Sequence, residues 1–412
     1  MGRSLALFLF VCCALQAQQR PESSELPSKP FFITKNWVIG GEGAWDQLTM
    51  DARFGWLFIT HGHQVQVVDT ETGAILSKID GLDEAHSVVL DDTGEFGYIG
   101  DAKAQSVAVF DQRLMQTTKF FKIEGKPRLL VFDVSEKLLF VLHFPVPLPN
   151  RIIQNRNAAG NLHTVSIPDT RPPSQWERDT TITIIDTQRQ AVIGQMLFSG
   201  NLDAAVSDGE GHIFINVMDQ AHVLRIDTSS VANLLHSLAG ESGATLDYRG
   251  VFIRGAARLT WAAPIRPDIF QVYSTCRNPR ALAVDSRLER LFVACENMKL
   301  TIWNLGHGEL VDSVPLKDVP DALAYDADRG LLYAASGNGS LTVVRRHVTD
   351  SYSVVQDLPT RAQARTLALN PINGEIYLVA NQLGFDLNQP TGFGKAKVIP
   401  IQGSFQVLVV GN

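Results

Sequence analysis

RALAVDSRLERLFVACENMKLTIWN, residues 280–304, reads as three short strands in a row. An alternating apolar segment ends in Asp285. A tight polar turn follows, then LFVAC, a second break and LTIWN. Each piece alternates with period two and is bounded by turn residues. The apolar runs are too short for a helix. They are rich in Val, Ile and aromatics, which suit a pleated, half-buried surface.

The same text recurs on both sides of this stretch. The first strand of each copy ends at Asp51, Asp91, Asp133, Asp208, Asp285, Asp326 and Asn370, at spacings of 40, 42, 75, 77, 41 and 44 residues. Four spacings fall in one narrow band, and two are that band plus an insertion. A copy this small leaves its apolar face uncovered unless neighbours stack on it, so the period implies a repeat architecture. Short antiparallel strands at this period predict an all-β fold, a seven-bladed β-propeller of four-stranded blades. The length of 412 residues alone suggests two or three domains, but the repeat count makes residues 31–412 one propeller, with insertions at 144–180, 229–275 and 382–403.

The last copy supplies TLAL (366–369), EIYLVA (375–380) and FQVLVVG (405–411), and no fourth strand follows. FFITKNWVI at 31–39 has no hairpin partner before it. The economical arrangement puts this N-terminal strand into the last blade, which closes the ring without an open edge. The fourth strand of the fourth copy is left open between Leu234–Leu238 and Ile269–Tyr273, and with it the face from which the 229–275 excursion leaves.

Composition narrows the function classes. The chain is 45% hydrophobic and 19% charged, too apolar for disorder. Its 36 basic and 43 acidic residues, net −7, argue against a broad nucleic-acid surface. Arg3, the apolar run Leu5–Leu15 and Ala17 read as a secretory signal peptide over 1–17, too short to span a bilayer. Residues 18–30, with Pro21, Pro27 and Pro30, read as a flexible leader. The expectation is a soluble, monomeric, exported protein, periplasmic or extracellular. Cys12 and Cys13 leave with the signal. Cys276 and Cys295 remain in one repeat, either as a disulfide that an oxidising compartment permits or as two buried thiols. A simple ladder puts Arg280, not Cys276, opposite Cys295.

Two rings of side chains follow from the register. Five residues before each strand-ending acid stand Asp46, His86, Arg128, Asp203, Arg280, Asp321 and Arg365, all polar. First strands line a propeller's channel, so these form a ring at one mouth. The ring is either structural, with charges pairing between blades, or a polar-ligand site whose Arg128, Arg280 and Arg365 suit carboxylates and phosphates. Three residues past the second-strand aromatics Phe58, Tyr98, Phe140, Phe214, Phe292, Tyr333 and Tyr377 stand His61, Asp101, His143, Val217, Cys295, Ser336 and Ala380. His61, His86, Asp101 and His143 therefore fall at one face of the first three blades, with His63 nearby. Three His and a carboxylate suit zinc or another divalent metal; ordinary polar turn residues are the alternative.

The insertions at 144–180 and 382–403 join second to third strands and rise from this same face, and loops on a rigid scaffold often carry binding. The first bears Arg151, Arg156, Arg171, Arg178, His163 and Trp176, a basic patch suited to an acidic partner.

GGEGAWDQLTMD (40–51), HGHQVQVVDTETG (61–73) and ARTLALNPINGEIYL (364–378) resemble YVTN-type β-propeller repeats. Blade six departs from the pattern at Val344 and Arg345, where other copies carry an apolar-Asp ending. The resemblance implies an exported bacterial or archaeal seven-bladed propeller and brings no catalytic set with it. The relatives it implies include surface-layer proteins, periplasmic binding proteins and subunits of quinoprotein dehydrogenases.

No phosphate-cradling Gly loop, nucleophile elbow, HExxH pair or CxxCH haem attachment occurs. The favoured function is a binding or scaffold protein that presents its mouth to an envelope protein, a glycan or a small anionic ligand. The alternative is a metal-assisted hydrolase or lactonase, or a propeller subunit of a quinoprotein-type oxidoreductase.

Overall fold

The computed structural model describes residues 29–147, 150–156, 162–168, 170, 172, 178–237, 245–247, 268–272, 275–390 and 396–412. The expected signal and most of the leader lie outside the described residues, as do Arg171 and Trp176. Among the described residues no helix is long and apolar enough to cross a membrane.

Seven four-stranded antiparallel units form the blades of a β-propeller. Blade one shows the pattern: Trp45–Asp51, Trp56–His61, Gln64–Asp69 and Ile75–Ile79. The acids that punctuate the repeat are turn caps. Asp91 accepts the Gly94 N–H at 2.8 Å, and Asp133 accepts that of Glu136 at 2.9 Å. Third strands end the same way, with Asp69 accepting Thr72 N–H at 2.7 Å and Asp111 accepting Leu114 N–H at 3.0 Å. Short polar side chains that bond the backbone just downstream favour such turns. Blade six lacks that cap, so its third strand runs on to Arg346 and pairs with Tyr352–Pro359.

The core lies between blades. The seven second-strand aromatics are all at most 1% exposed. Phe58 meets Phe110 of blade two at 5.8 Å, and Phe292 meets Tyr325 of blade six at 4.6 Å. Period-two alternation places one such ring per blade, and stacking the blades hides it.

The ring closes as the unpaired N-terminal strand requires. Phe32–Val38 pairs antiparallel with Gln406–Gly411, giving blade seven the order 367–369, 376–380, 406–411, 32–38. The remaining open choice falls to Asp268–Gln271, which is the fourth strand of blade four, whereas Leu234 lies in a helix, Thr228–Ser237. The 229–275 excursion therefore joins third to fourth strand and leaves from the face opposite the sequence-expected mouth. On its way Thr245–Asp247 adds parallel to the outer edge of blade three, beside Gln195–Leu197.

Candidate functional site

The mouth is built on bulges. In blades one to five the first strand slips register where it meets the second, between Trp45 and Leu48, Ala85 and Ser87, Pro127 and Leu129, Leu202 and Ala205, and Pro279 and Ala281. Asp46, His86, Arg128, Asp203 and Arg280 are the residues at these slips. A bulge re-aims side chains at the end of a ladder. It also corrects the simple-ladder expectation for blade five. Pro279, not Arg280, lies opposite Cys295, and Cys276 reaches Cys295 as a disulfide with Cα atoms 5.2 Å apart.

The ring side chains pair between neighbouring blades. His86 Nδ1 lies 2.9 Å from Asp46 Oδ2, with Glu84 at 3.7 Å from its other nitrogen. Arg128 pairs with Asp203. Arg280 Nη2 donates to Asp321 Oδ1 at 2.7 Å, and Asp321 Oδ2 also accepts the Gly337 N–H at 2.8 Å. Asp46, Arg128, Asp203, Arg280 and Asp321 share a central cavity of about 330 Å³. Seven positions make three pairs and leave one over. Arg365 reaches only the Trp45 carbonyl, at 3.4 Å, and meets no carboxylate among the described residues.

Arg365 faces a second, larger space. A cavity of about 840 Å³ opens at the same mouth between blades six, seven and one. Its walls come from the Gly41–Trp45 crossover, from Arg365 and Gln363, from Asn381, and from Pro400–Gly403, where the blade-seven insertion returns. That insertion is a hairpin, Leu383–Pro390 with Ala396–Pro400. A contact at 2.6 Å from Gln402 Nε2 to Glu42 Oε1 ties its end to the crossover. The blade-three insertion is also a hairpin, Asn150–Arg156 with Leu162–Pro168, between second and third strands as expected.

Glycine is required in the crossover. Gly41 has φ of 110°, and a Cβ there would sit 2.7 Å from the His61 ring. Gly43 has φ of 104°, with the Gly62 Cα 2.9 Å from such a Cβ. The chain can cross this closely over blade one only with no side chain at positions 41 and 43.

The four residues of the proposed metal set do not converge. His61 is buried, with Nδ1 at 3.1 Å from Gln66 Oε1 and Nε2 at 3.2 Å from the Gly43 carbonyl, and its ring meets Phe405 at 4.0 Å. Asp101 accepts the Asp83 and Glu84 N–H groups at 2.8 and 2.9 Å. His143 Nε2 lies 3.0 Å from Thr183 Oγ1. His86 belongs to Asp46. Among the described residues no group of three or more His, Cys, Asp or Glu is placed to hold a metal. The second-strand ends share a face, as the register demands, but each turns into its own blade to anchor a crossover or a neighbouring strand. His63, in the Gly62–His63 turn, joins no cluster.

Burial sets the titration of His61 and His143. It pushes the His143 pKa down to about 4 and also lowers that of His61, against the opposing hydrogen bonds of Gln66 and Gly43. In the unfolded chain a histidine takes its proton near pH 6.5. Between there and about pH 4 the unfolded state binds a proton that folded His143 refuses. Stability therefore falls as pH drops through this window, by at most about 1.4 kcal/mol per pH unit for each such group, and levels off below it. Urea midpoints from pH 7.5 to 4 are expected to show this slope, and His143→Gln is expected to flatten it. An equal slope in the variant would refute the assignment.

No protein-family model and no curated protein matches the chain. Solved structures do. One chain of a mitotic checkpoint complex aligns with a TM-score of 0.59 at 12% identity, over 97% of this chain and 99% of its own. The RRP9 WD40 repeats align at 0.61 and 8% identity, over 92% and 97%. U3-55K aligns at 0.59 and 8% identity, over 92% and 98%. At such identities the likeness shows the propeller fold alone.

Proposed function

We propose that the protein is a binding scaffold whose ligand site is the cavity beside Arg365, on the mouth that carries the blade-three and blade-seven insertions. The observation that carries this reading is the odd count of the ring. Six of its members contact one another in three pairs, and the seventh, a guanidinium, faces a cavity of about 840 Å³. That volume is in the range of small-molecule sites, and concave spaces with a few polar groups are where ligands bind. The propeller core, closed between its termini, provides the rigid support such a site needs.

The same reading places the protein outside the cytoplasm, in the periplasm or beyond the cell. The N-terminal apolar run, the resemblance to YVTN repeats and the buried Cys276–Cys295 bridge support it, because such bridges persist in oxidising compartments. One of the similar propellers was solved within a complex, which agrees with a scaffold role.

The test is charge-blind. A fragment set of neutral, anionic and cationic members, followed by ligand-observed NMR, is expected to give hits that compete with one another. Ile401 is 45% exposed in the cavity wall, so Ile401→Trp adds bulk there without disturbing the core. The hits are expected to weaken in that variant whatever their charge. Hits indifferent to it would place binding elsewhere and overturn the reading.

A further inference from the structure

We infer that the cavity beside Arg365 selects a monocarboxylate with a compact apolar body. The inference rests on the cavity being the ligand site, and it names what that site takes.

The first observation is the donor set. None of the four consecutive backbone N–H groups from Gly41 to Ala44 donates to another described residue, while the preceding Ile39 and Gly40 N–H groups both donate to the Phe405 carbonyl. The crossover thus anchors itself by its first amides, and the next four make no bond to a described residue where it lines the cavity. Successive amides in a turn that uses positive φ form a concavity with a positive potential, suited to an anion. Among the described residues Arg365 supplies the only guanidinium of the cavity wall. Its planar fork matches the two oxygens of one carboxylate.

The second observation is independent of the loop. Asn381 lines the cavity, and its side-chain amide, which makes no hydrogen bond to a described residue, is open to a ligand. Trp45 is 9% exposed in the same wall, and its buried Nε1 has no partner among the described residues. A buried polar group without a partner costs about 1–3 kcal/mol. Trp45 Nε1 is one such group in this wall, and the open Asn381 amide adds bonding capacity beside it.

The third is the charge balance, which sets the ligand's valence. Glu42 and Asp321 also stand in the wall. Asp321 is engaged by Arg280 and the Gly337 N–H, and Glu42 by Gln402, but both keep their charge. With Asp321 balanced by Arg280, Arg365 against Glu42 leaves the wall without net positive charge, so a ligand that uses the guanidinium with a single negative charge is opposed least. Inorganic phosphate carries more than one at neutral pH. The apolar body follows from Pro400, Ile401 and Trp45, the large apolar residues of the wall.

The chemistry comes either from a free small acid or from a peptide C-terminus, and the experiment separates these. Isothermal titration uses N-acetyl-L-leucine, its amide, inorganic phosphate, and the tetrapeptide Ac-Gly-Gly-Gly-Leu with a free C-terminus. The variants are Arg365→Gln, at an exposed position, and Asn381→Ala. The expected result is that N-acetyl-leucine binds at least tenfold more tightly than its amide and than phosphate. Arg365→Gln is expected to abolish that preference while the denaturation midpoint stays unchanged. Asn381→Ala is expected to weaken the acid severalfold. Tighter binding of the tetrapeptide would assign the site to peptide ends, and equal or weaker binding to free acids; either result supports the inference. Equal affinity for acid and amide, or a preference for phosphate, would overturn the monocarboxylate while leaving the cavity as a site. Failure of every probe would overturn it too, and the charge-blind fragment screen then decides separately whether the cavity binds anything.

Discussion

A chain lacking residues 1–39 is expected to lose its cooperative unfolding transition and to aggregate at micromolar concentration. The deletion removes Phe32–Val38 from the edge of Gln406–Gly411, and with it the ladder that holds the first and last parts of the chain together. Phe31, 4% exposed, leaves its place against Tyr333 at 5.7 Å. Its backbone N–H and carbonyl also leave the Gln356 side chain, at 2.8 and 2.7 Å. Trp37 leaves its stack on Tyr377 at 6.4 Å. Each ladder bond contributes about 1 kcal/mol net, and each large apolar side chain buried adds roughly 1.5–3 kcal/mol. The sum is comparable to the whole stability of a folded domain, about 5–15 kcal/mol. The newly bared strand carries Val407–Val410, all at most 1% exposed before the deletion, and an open apolar edge recruits other chains. Circular dichroism melts and light scattering read both effects. A synthetic peptide of residues 31–39 added in trans is expected to restore the transition. A truncated chain that melts at the wild-type temperature, without scattering, would show that the closure is dispensable.

The second large effect is expected at the disulfide. Cys276→Ala with Cys295→Ala should lower stability by about 3 kcal/mol, the chain-entropy value for a loop of the observed 19-residue separation. The bridge fastens the end of the 229–275 excursion to the second strand of blade five. Both sulfurs lie in the core, at 1% and 0% exposure, in a cluster with Val272, Leu291, Val293 and Trp303. The Cys276 N–H donates to the Val272 carbonyl at 2.8 Å. Alanine avoids placing an unpaired hydroxyl in that cluster. Urea midpoints of the wild type with and without reductant, and of the double variant, are expected to put the reduced wild type near the variant. A wild type indifferent to reductant, with two free thiols by mass labelling, would remove both the bridge and the support it lends to export.

The fold was legible because its signals are local. Asp51, Asp91, Asp133, Asp285 and Asp326 sit at or just past the ends of first strands, where an Asp side chain finds the turn amides within a few residues. Phe58, Tyr98 and their five counterparts occupy one alternation phase, and the phase alone buries them. Phe31–Ile39 announced the closure through a missing partner, an accounting argument that holds at any distance in sequence. The blade-four strand was less legible. Leu234 and Ile269 both start short apolar runs, and only the pairing of Asp268–Arg225 through Gln271–His222 chooses between them.

The candidate site divides along the same line. Periodicity alone determined seven blades, their order, the joined termini and the polar identity of every ring position, because each depends on neighbours within about ten residues or on a repeat count. Tertiary structure decided which ring members meet. Bulges in five first strands turned Asp46, His86, Arg128, Asp203 and Arg280 into the channel, between-blade distances paired six of seven, and Arg365 was left facing a cavity walled by segments more than 300 residues apart. It also sent His61, Asp101 and His143 into their own blades. A strand's register says which face a side chain is on. Whether two such side chains touch is set by bulge, twist and the spacing of blades, none of which is written in a single strand.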